Sequence, residues 1–136
     1  MSVKGRWVIT EPKPAKPLVS DERKNEVSVF FEPLILSFKK KLEEITPNKE
    51  FTYTVDIFTK WNQNCFYFCE KCVSEQVNGE EYEHEEKFVK LEYVSKNNFN
   101  FYYFRHTGKW HLVFRKITLD QCLEAILENP NFQPLL

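Results

Sequence analysis

Apolar residues recur at three- and four-residue steps from Val27 through Phe30, Phe31, Leu34, Phe38 and Leu42 to Ile45, with polar and charged residues between most of them. That spacing is one face of an α-helix turned toward a core. Ser20 stands where an N-cap is needed, and Asp21 and Glu22 follow in the first turn, where the helix dipole favours anions. Lys39, Lys40 and Lys41 lie toward the other end, where cations are favoured. Pro33 falls inside the pattern. It predicts a kink or two shorter helices, because proline lacks a backbone donor and crowds the preceding turn. Pro47 and Asn48 should stop the element.

From Phe51 the period drops to two. Phe51, Tyr53, Val55 and Ile57 alternate with Thr52, Thr54 and Asp56, which predicts a strand with one buried face. Asn62-Gln63-Asn64 reads as a turn and Cys65 to Val77 as a second strand. Glu80, Glu81, Glu83, Glu85 and Glu86, beside Gly79, read as an acidic loop. Lys87 to Ser95 is a third strand with Val89, Leu91 and Tyr93 on one face. Lys96-Asn97-Asn98 turns into Phe99 to Arg105, and Thr107-Gly108 turns into Trp110 to Arg115. Turns this short join neighbours in an antiparallel meander. The last helix has the capping-box pair Thr118 and Gln121, and Leu119, Cys122, Leu123, Ile126 and Leu127 form its apolar face. Pro130 ends it, and Phe132 and Leu135-Leu136 are expected to pack on the body.

The fold class is therefore α+β: an antiparallel β-meander of about five strands flanked by an N-terminal and a C-terminal helix. Residues 1–17 stand apart. Trp7-Val8-Ile9 would suit a short edge strand, but Pro12, Pro14 and Pro17 favour an extended connector. The expected division is a Pro-rich tail over 1–17 and a single domain over 18–136.

Composition agrees with that reading. In 136 residues, 42% are hydrophobic and 29% charged, which suits a core that needs no disulfides or metal. Aromatic residues make up 16%, with 13 Phe and only 3 Gly, which weights the chain toward sheet. A net charge of −1 gives no global basic excess for nucleic acid. No apolar run is long enough for a membrane helix, and residues 1–17 lack the apolar segment of a secretory signal. The expected setting is the cytoplasm, with four cysteines as free thiols or metal ligands.

Three constellations invite chemistry. Cys65-x3-Cys69-x2-Cys72 has the spacing of an iron–sulfur triad in radical S-adenosylmethionine enzymes, but those resemble large partial barrels and this chain is too short. Cys69-Glu70-Lys71-Cys72 has the spacing of a zinc knuckle, provided the chain turns at Glu70-Lys71. Cys65, His84, His106, His111 or Cys122 would have to complete the tetrahedron. The plainer reading makes the cysteines small apolar residues of a sheet, so no cofactor is expected, with zinc as the alternative. Arg105, His106, Lys109 and His111 gather at one hairpin and could move protons, but no motif fixes their geometry. No glycine-rich phosphate loop is present. An enzyme is not the favoured reading.

The aromatic strand is the broadest feature. Phe99, Phe101 and Tyr103 lie on one of its faces, and Tyr102 and Phe104 on the other. One face must meet the helices. The other is either covered, by a loop, the tail or a second subunit, or is a contact surface. The candidate binding residues are Phe99, Phe101, Tyr102, Tyr103, Arg105, His106, Lys109, Trp110 and His111. The favoured function is a small non-enzymatic binding or accessory protein, bacterial or phage, that engages a protein partner through the aromatic sheet and the acidic loop. The alternatives are a nucleic-acid binder using Lys109, Arg115 and Lys116, and a zinc module.

From about Ser20 to Leu136 the chain resembles a bacterial domain family of unknown function, the 3024 group. The strand Phe88-Val89-Lys90-Leu91-Glu92-Tyr93 carries the resemblance, with Phe101-Tyr102-Tyr103-Phe104-Arg105, Gly108-Lys109-Trp110-His111 and the helix ending in Glu128-Asn129-Pro130. Phe99 and Phe104 stand where family members tend to have Trp. The resemblance implies a fold and brings no activity with it.

Overall fold

The computed structural model describes residues 18–45, 52–104 and 108–134. Helix α1 spans Asp21–Glu43. The strands are β1 (Tyr53–Asn62), β2 (Cys65–Glu75), β3 (Glu81–Ser95), β4 (Asn98–Phe104) and β5 (Trp110–Ile117). Helix α2 (Leu119–Glu128) and a 3-10 turn (Pro130–Phe132) complete the order. The strands form one sheet in the order β1-β2-β3-β4-β5, every neighbouring pair antiparallel. The α+β meander between two helices is thus the observed fold. The expected Trp7-Val8-Ile9 strand and the Pro-rich tail lie outside the described residues.

Both helices pack on the same face of the sheet. One buried cluster joins Val27, Phe31, Leu34, Ile35 and Phe38 of α1 to Ile57, Phe66, Phe68, Val89, Leu91, Phe99 and Phe101 of the strands and to Leu119, Cys122 and Ile126 of α2. Phe31 sits at its centre, edge-on to Phe68 at 5.0 Å and stacked with Phe66 at 5.8 Å. The Trp61 indole N–H ties the sheet to the helix by donating to the Lys24 carbonyl (3.2 Å) and the Ser28 hydroxyl (3.3 Å). Ser20 caps α1, its Oγ accepting from the Arg23 N–H at 3.1 Å. Helix α1 runs uninterrupted through Pro33, so the two-helix alternative is not what forms. Pro33 and Val29 both lie on the exposed side of the helix, where water can satisfy the Val29 carbonyl that proline leaves without a donor.

Two expectations on the sheet are corrected. The even alternation expected from Phe51 to Ile57 is broken by a bulge between Thr54 and Asp56. Tyr53 therefore opposes Val73 while Ile57 opposes Glu70, three residues away on β2 and on the other face. Ile57 is fully buried, and Val55, the inserted residue, is 41% exposed. The acidic loop is also shorter than expected. Gly79, at φ +84°, closes a tight turn through its N–H to the Gln76 carbonyl at 2.9 Å, and Glu81, Glu83, Glu85 and Glu86 belong to β3. Glutamate is a weak strand former, but ladder pairing with β2 and ion pairs to Lys71, Lys60 and Lys87 outweigh that preference.

Helix α2 begins as its sequence predicts. The Gln121 N–H donates to Thr118 Oγ1 at 3.2 Å, and the Thr118 N–H donates to Gln121 Oε1 at 2.9 Å. Replacing Thr118 with Ala is expected to cost about 1 kcal/mol, read as a lower urea midpoint at unchanged slope. An unshifted midpoint would show that the box does not hold the helix start. Leu127 was expected on the buried stripe but is 57% exposed. In this short helix the buried residues reduce to Leu119, Cys122 and Ile126. Beyond it, Phe132 packs on Phe101 at 5.0 Å and on Tyr103 at 5.2 Å. The Gln133 amide donates to the Ile126 carbonyl at 2.9 Å, satisfying one of the acceptors at the helix end.

Candidate functional site

Because both helices share one face, the sheet has a second face on which no described helix packs. Its side chains align in rungs. Lys60 of β1 opposes Tyr67 of β2, Tyr67 opposes Lys90 of β3, Lys90 opposes Tyr102 of β4, and Tyr102 opposes Leu112 of β5. A single row in which lysine alternates with tyrosine, ending on Leu112, thus crosses all five strands. The next rung points the other way: Phe66, Leu91 and Phe101 are core, Trp61 packs against it, and Phe114 lies against Phe101 at the rung's exposed end.

The row is organised around Lys90. Its ammonium lies 4.4 Å from the Tyr102 ring centre and 4.9 Å from that of Trp110. Trp110 also meets Phe104 at 5.1 Å and Tyr67 at 5.9 Å, and Lys87 sits 5.5 Å from the Tyr67 ring. Cations over aromatic faces are attracted by the ring quadrupole. Glu92 Oε1 accepts from the Tyr102 hydroxyl and from the Asn100 amide, each at 3.1 Å, which fixes the Tyr102 ring. Lys60 and Lys87 both pair with Glu85. These contacts hold Glu85 below the usual carboxylate range, chiefly through the Lys60 hydrogen bond. Burial, and then the neighbouring Cys65, raises the Tyr67 phenol above its ordinary value, so it stays neutral and able to donate.

The helix side carries a second feature. Beyond α2 a groove of about 790 Å³ opens between the sheet and the chain's final turn, lined by Thr54, Glu70, Cys72, His84, Glu86, Phe88, Tyr103, Phe104 and Pro130 among others. Glu70 is only 4% exposed and accepts from the Thr54 hydroxyl at 2.9 Å. It stands directly opposite Glu86 on β3. His84 opposes Cys72 and places Nε2 3.2 Å from a Glu86 carboxylate oxygen, while its Nδ1 is buried with no hydrogen-bond partner.

The structure divides the sequence-derived candidates. Phe99 and Phe101 are fully buried under the helices, so they build the core and offer no contact surface. Tyr103 and His111 are paired on the helix side, their rings 6.0 Å apart. Tyr102 and Trp110 stand on the helix-free face. Lys109, Arg115 and Lys116 are exposed around β5, and Arg105 and His106 lie outside the described residues. The cysteines are not brought together. Strand β2 runs unbroken from Cys65 to Glu75, so the turn a Cys69/Cys72 knuckle needs does not form. Cys65 and Cys69 face away from the helices, Cys72 faces the groove with His84, and Cys122 lies in the core. Burial pushes the Cys69 and Cys72 thiols up to about 11, away from the thiolate a metal or a nucleophilic reaction requires. Among the described residues no group of three or more His, Cys, Asp and Glu is placed to hold a metal ion.

Sequence reasoning did not single out Lys60, Tyr67, Lys90 or Leu112. Their signal was the alternation itself: once Phe66, Phe68, Val89 and Leu91 define the core side, the residues between them define the other. Glu70 carried the same signal, two residues beyond Phe68 and in phase with it.

Residues 34–134 match a family described as a domain of unknown function, DUF3024. The chain belongs to this family. The DUF3024 match starts within α1 and takes in all five strands, α2 and the final turn, so both the lysine–aromatic row and the groove fall inside it. No curated protein and no solved structure matches the chain.

Proposed function

We propose that this DUF3024 protein is a non-enzymatic binding module that engages an acidic segment of another protein through the helix-free face of its sheet. The observation that carries the reading is Lys90, held over the rings of Tyr102 and Trp110. Lys90 forms no ion pair among the described residues, whereas Lys60 and Lys87 share Glu85. A carboxylate of a partner would complete a cation that the fold holds over two aromatic rings at once. Tyr and Trp on a sheet, rigid and amphipathic, are the side chains that concentrate binding energy at protein interfaces. Leu112, 38% exposed at the end of the row, adds apolar area.

The same rings would suit nucleobases. Two observations favour protein. The Lys90 ammonium already occupies the Tyr102 and Trp110 faces on which bases would stack, and Glu85 pairs with both other lysines of the patch and offsets part of their charge. The four free thiols support a reducing, cytoplasmic setting. No described helix is long and apolar enough to cross a membrane.

The test is site-specific photocrosslinking from Leu112 in cells, with a probe at Val29 on the outer face of α1 as control. A protein adduct from Leu112 alone, lost on Lys90→Glu or Trp110→Ala, supports the reading. Adducts to nucleic acid, to a second copy of the chain, or from both probes equally overturn it.

A further inference from the structure

We infer, resting on the reading of the lysine–aromatic row as a binding face, that Asn100 is the positioning residue of that face. Its single amide group governs both walls around Lys90: the Tyr102 ring, and the strand that carries Trp110 and Leu112. Asn100 lies on β4 between Phe99 and Phe101, which oppose Ile117 and Phe114 of β5. It therefore stands against two residues, Arg115 and Lys116, where a regular ladder would supply one. Lys116 takes φ +53°, a left-handed conformation that a side chain makes costly. Its N–H donates to Asn100 Oδ1 at 3.0 Å. A backbone N–H can only donate, so the Asn100 oxygen must face Lys116 and its NH2 must face Glu92. That NH2 donates to Glu92 Oε1 at 3.1 Å, the same oxygen that accepts from the Tyr102 hydroxyl at 3.1 Å.

Each end of the amide acts on a different wall. Through the bulge, Asn100 sets the phase of β5. Without that inserted residue, Phe104 would pair with His111 in place of Trp110, and Trp110 would turn to the helix side. Through Glu92, Asn100 holds the phenol whose ring centre lies 4.4 Å from the Lys90 ammonium. Trp110 supplies the second ring, at 4.9 Å. Glu92 and Asn100 stand directly opposite each other on β3 and β4, so a carboxylate there meets a neutral donor. A second carboxylate in that position would repel it. Asparagine accepts from one neighbour and donates to the other at once; aspartate can only accept, and alanine does neither. The two walls can therefore be released separately.

NMR of the full chain, with no partner present, tests the assignment through the Tyr102 ring protons, the Trp110 indole N–H and the Lys90 ε-methylene. In the wild type the Lys90 protons, shielded by the currents of two rings, are expected upfield of those of exposed Lys116. Asn100→Ala is expected to remove most of that displacement and to move all three signals. Asn100→Asp keeps the bond to Lys116 and repels Glu92, so it should move Tyr102 and Lys90 and leave Trp110 in place. Adding Lys116→Gly to Asn100→Ala lets the bulge form without the amide, because glycine adopts positive φ freely. The Trp110 signal should then return while Tyr102 stays displaced. Lys90 unmoved by Asn100→Ala, a Trp110 shift as large with Asp as with Ala, or a lower urea midpoint with all three signals unchanged would each overturn the inference. If Asn100→Ala does not fold, Asn100→Asp carries the test, and a Tyr102 ring that it leaves unmoved overturns it. Absence of a Leu112 photoadduct in the wild type would end the binding reading alone, since these spectra need no partner.

Discussion

Replacing Phe31 with Ala is expected to lower the unfolding free energy by about 4 kcal/mol, the range found when a fully buried Phe is truncated. Phe31 is the residue through which α1 meets the sheet. It is wholly buried, packs edge-on against Phe68 and stacks with Phe66, and has Phe30 beside it at 4.9 Å. Truncation removes the transfer free energy of the ring and leaves a void among aromatic neighbours that are themselves held by the β2 ladder and cannot collapse into it. The loss should appear in urea as a lower midpoint, with Leu36→Ala as the control. Leu36 lies on the same helix but is 60% exposed, and its truncation should change the free energy by less than about 0.5 kcal/mol. A loss below about 1 kcal/mol for Phe31→Ala would mean that α1 is not docked on the sheet as described.

The second large effect is alkaline. Burial in the core pushes the Cys122 thiol up to about 12 from its ordinary 9.0. Below pH 9 the thiol is protonated in both folded and unfolded chains and its contribution to stability is complete. Above pH 9 the unfolded chain ionises and the folded one does not, so stability falls by about 1.4 kcal/mol per pH unit and the loss approaches about 4 kcal/mol near pH 12. Cys69 and Cys72, pushed to about 11, act in the same direction over the lower part of that window. Urea midpoints measured from pH 7 to 11 should be level up to about pH 9 and then drop. Cys122→Ala, less stable at neutral pH for lack of the sulfur, should lose less on the alkaline side, so that the two curves converge. Parallel curves would show that Cys122 reaches solvent in the folded chain.

These two expectations rest on different levels of information. Phe31 was legible from the helical period alone, since it recurs with Val27, Leu34 and Phe38 on one stripe. The Thr118–Gln121 box was legible for the same reason: capping is decided within four residues. Val89, Leu91 and Tyr93 were correctly placed on one face because that stretch of β3 alternates without interruption. The errors fall where neighbouring strands overrule local preference. Nothing in residues 51–57 announces a bulge; it exists because β1 must keep register with β2 on both sides of Val55. Five glutamates within seven residues read as a loop until β2 and its lysines are present to pair with them. The candidate site divided likewise. Tyr102 and Trp110 were identified from aromatic content, but Phe99 and Phe101 were identified with them, because alternation separates two faces without saying which one the helices cover.

What the sequence by itself determined is the order of elements, the N-caps of both helices, and the buried positions Val27, Phe31, Leu34 and Phe38 of α1 and Val89 and Leu91 of β3, since caps, turns and periodicities are local and their physics acts within a few residues. The tertiary structure alone decided that both helices take the same face, that Lys60, Tyr67, Lys90, Tyr102 and Leu112 form one rung, and that Glu70, Glu86 and His84 meet at a groove. Those facts depend on register between strands and on which face the apolar stripes of α1 and α2 cover. Both are set by the one arrangement that buries Phe31, Phe66, Phe68, Phe99 and Phe101 together.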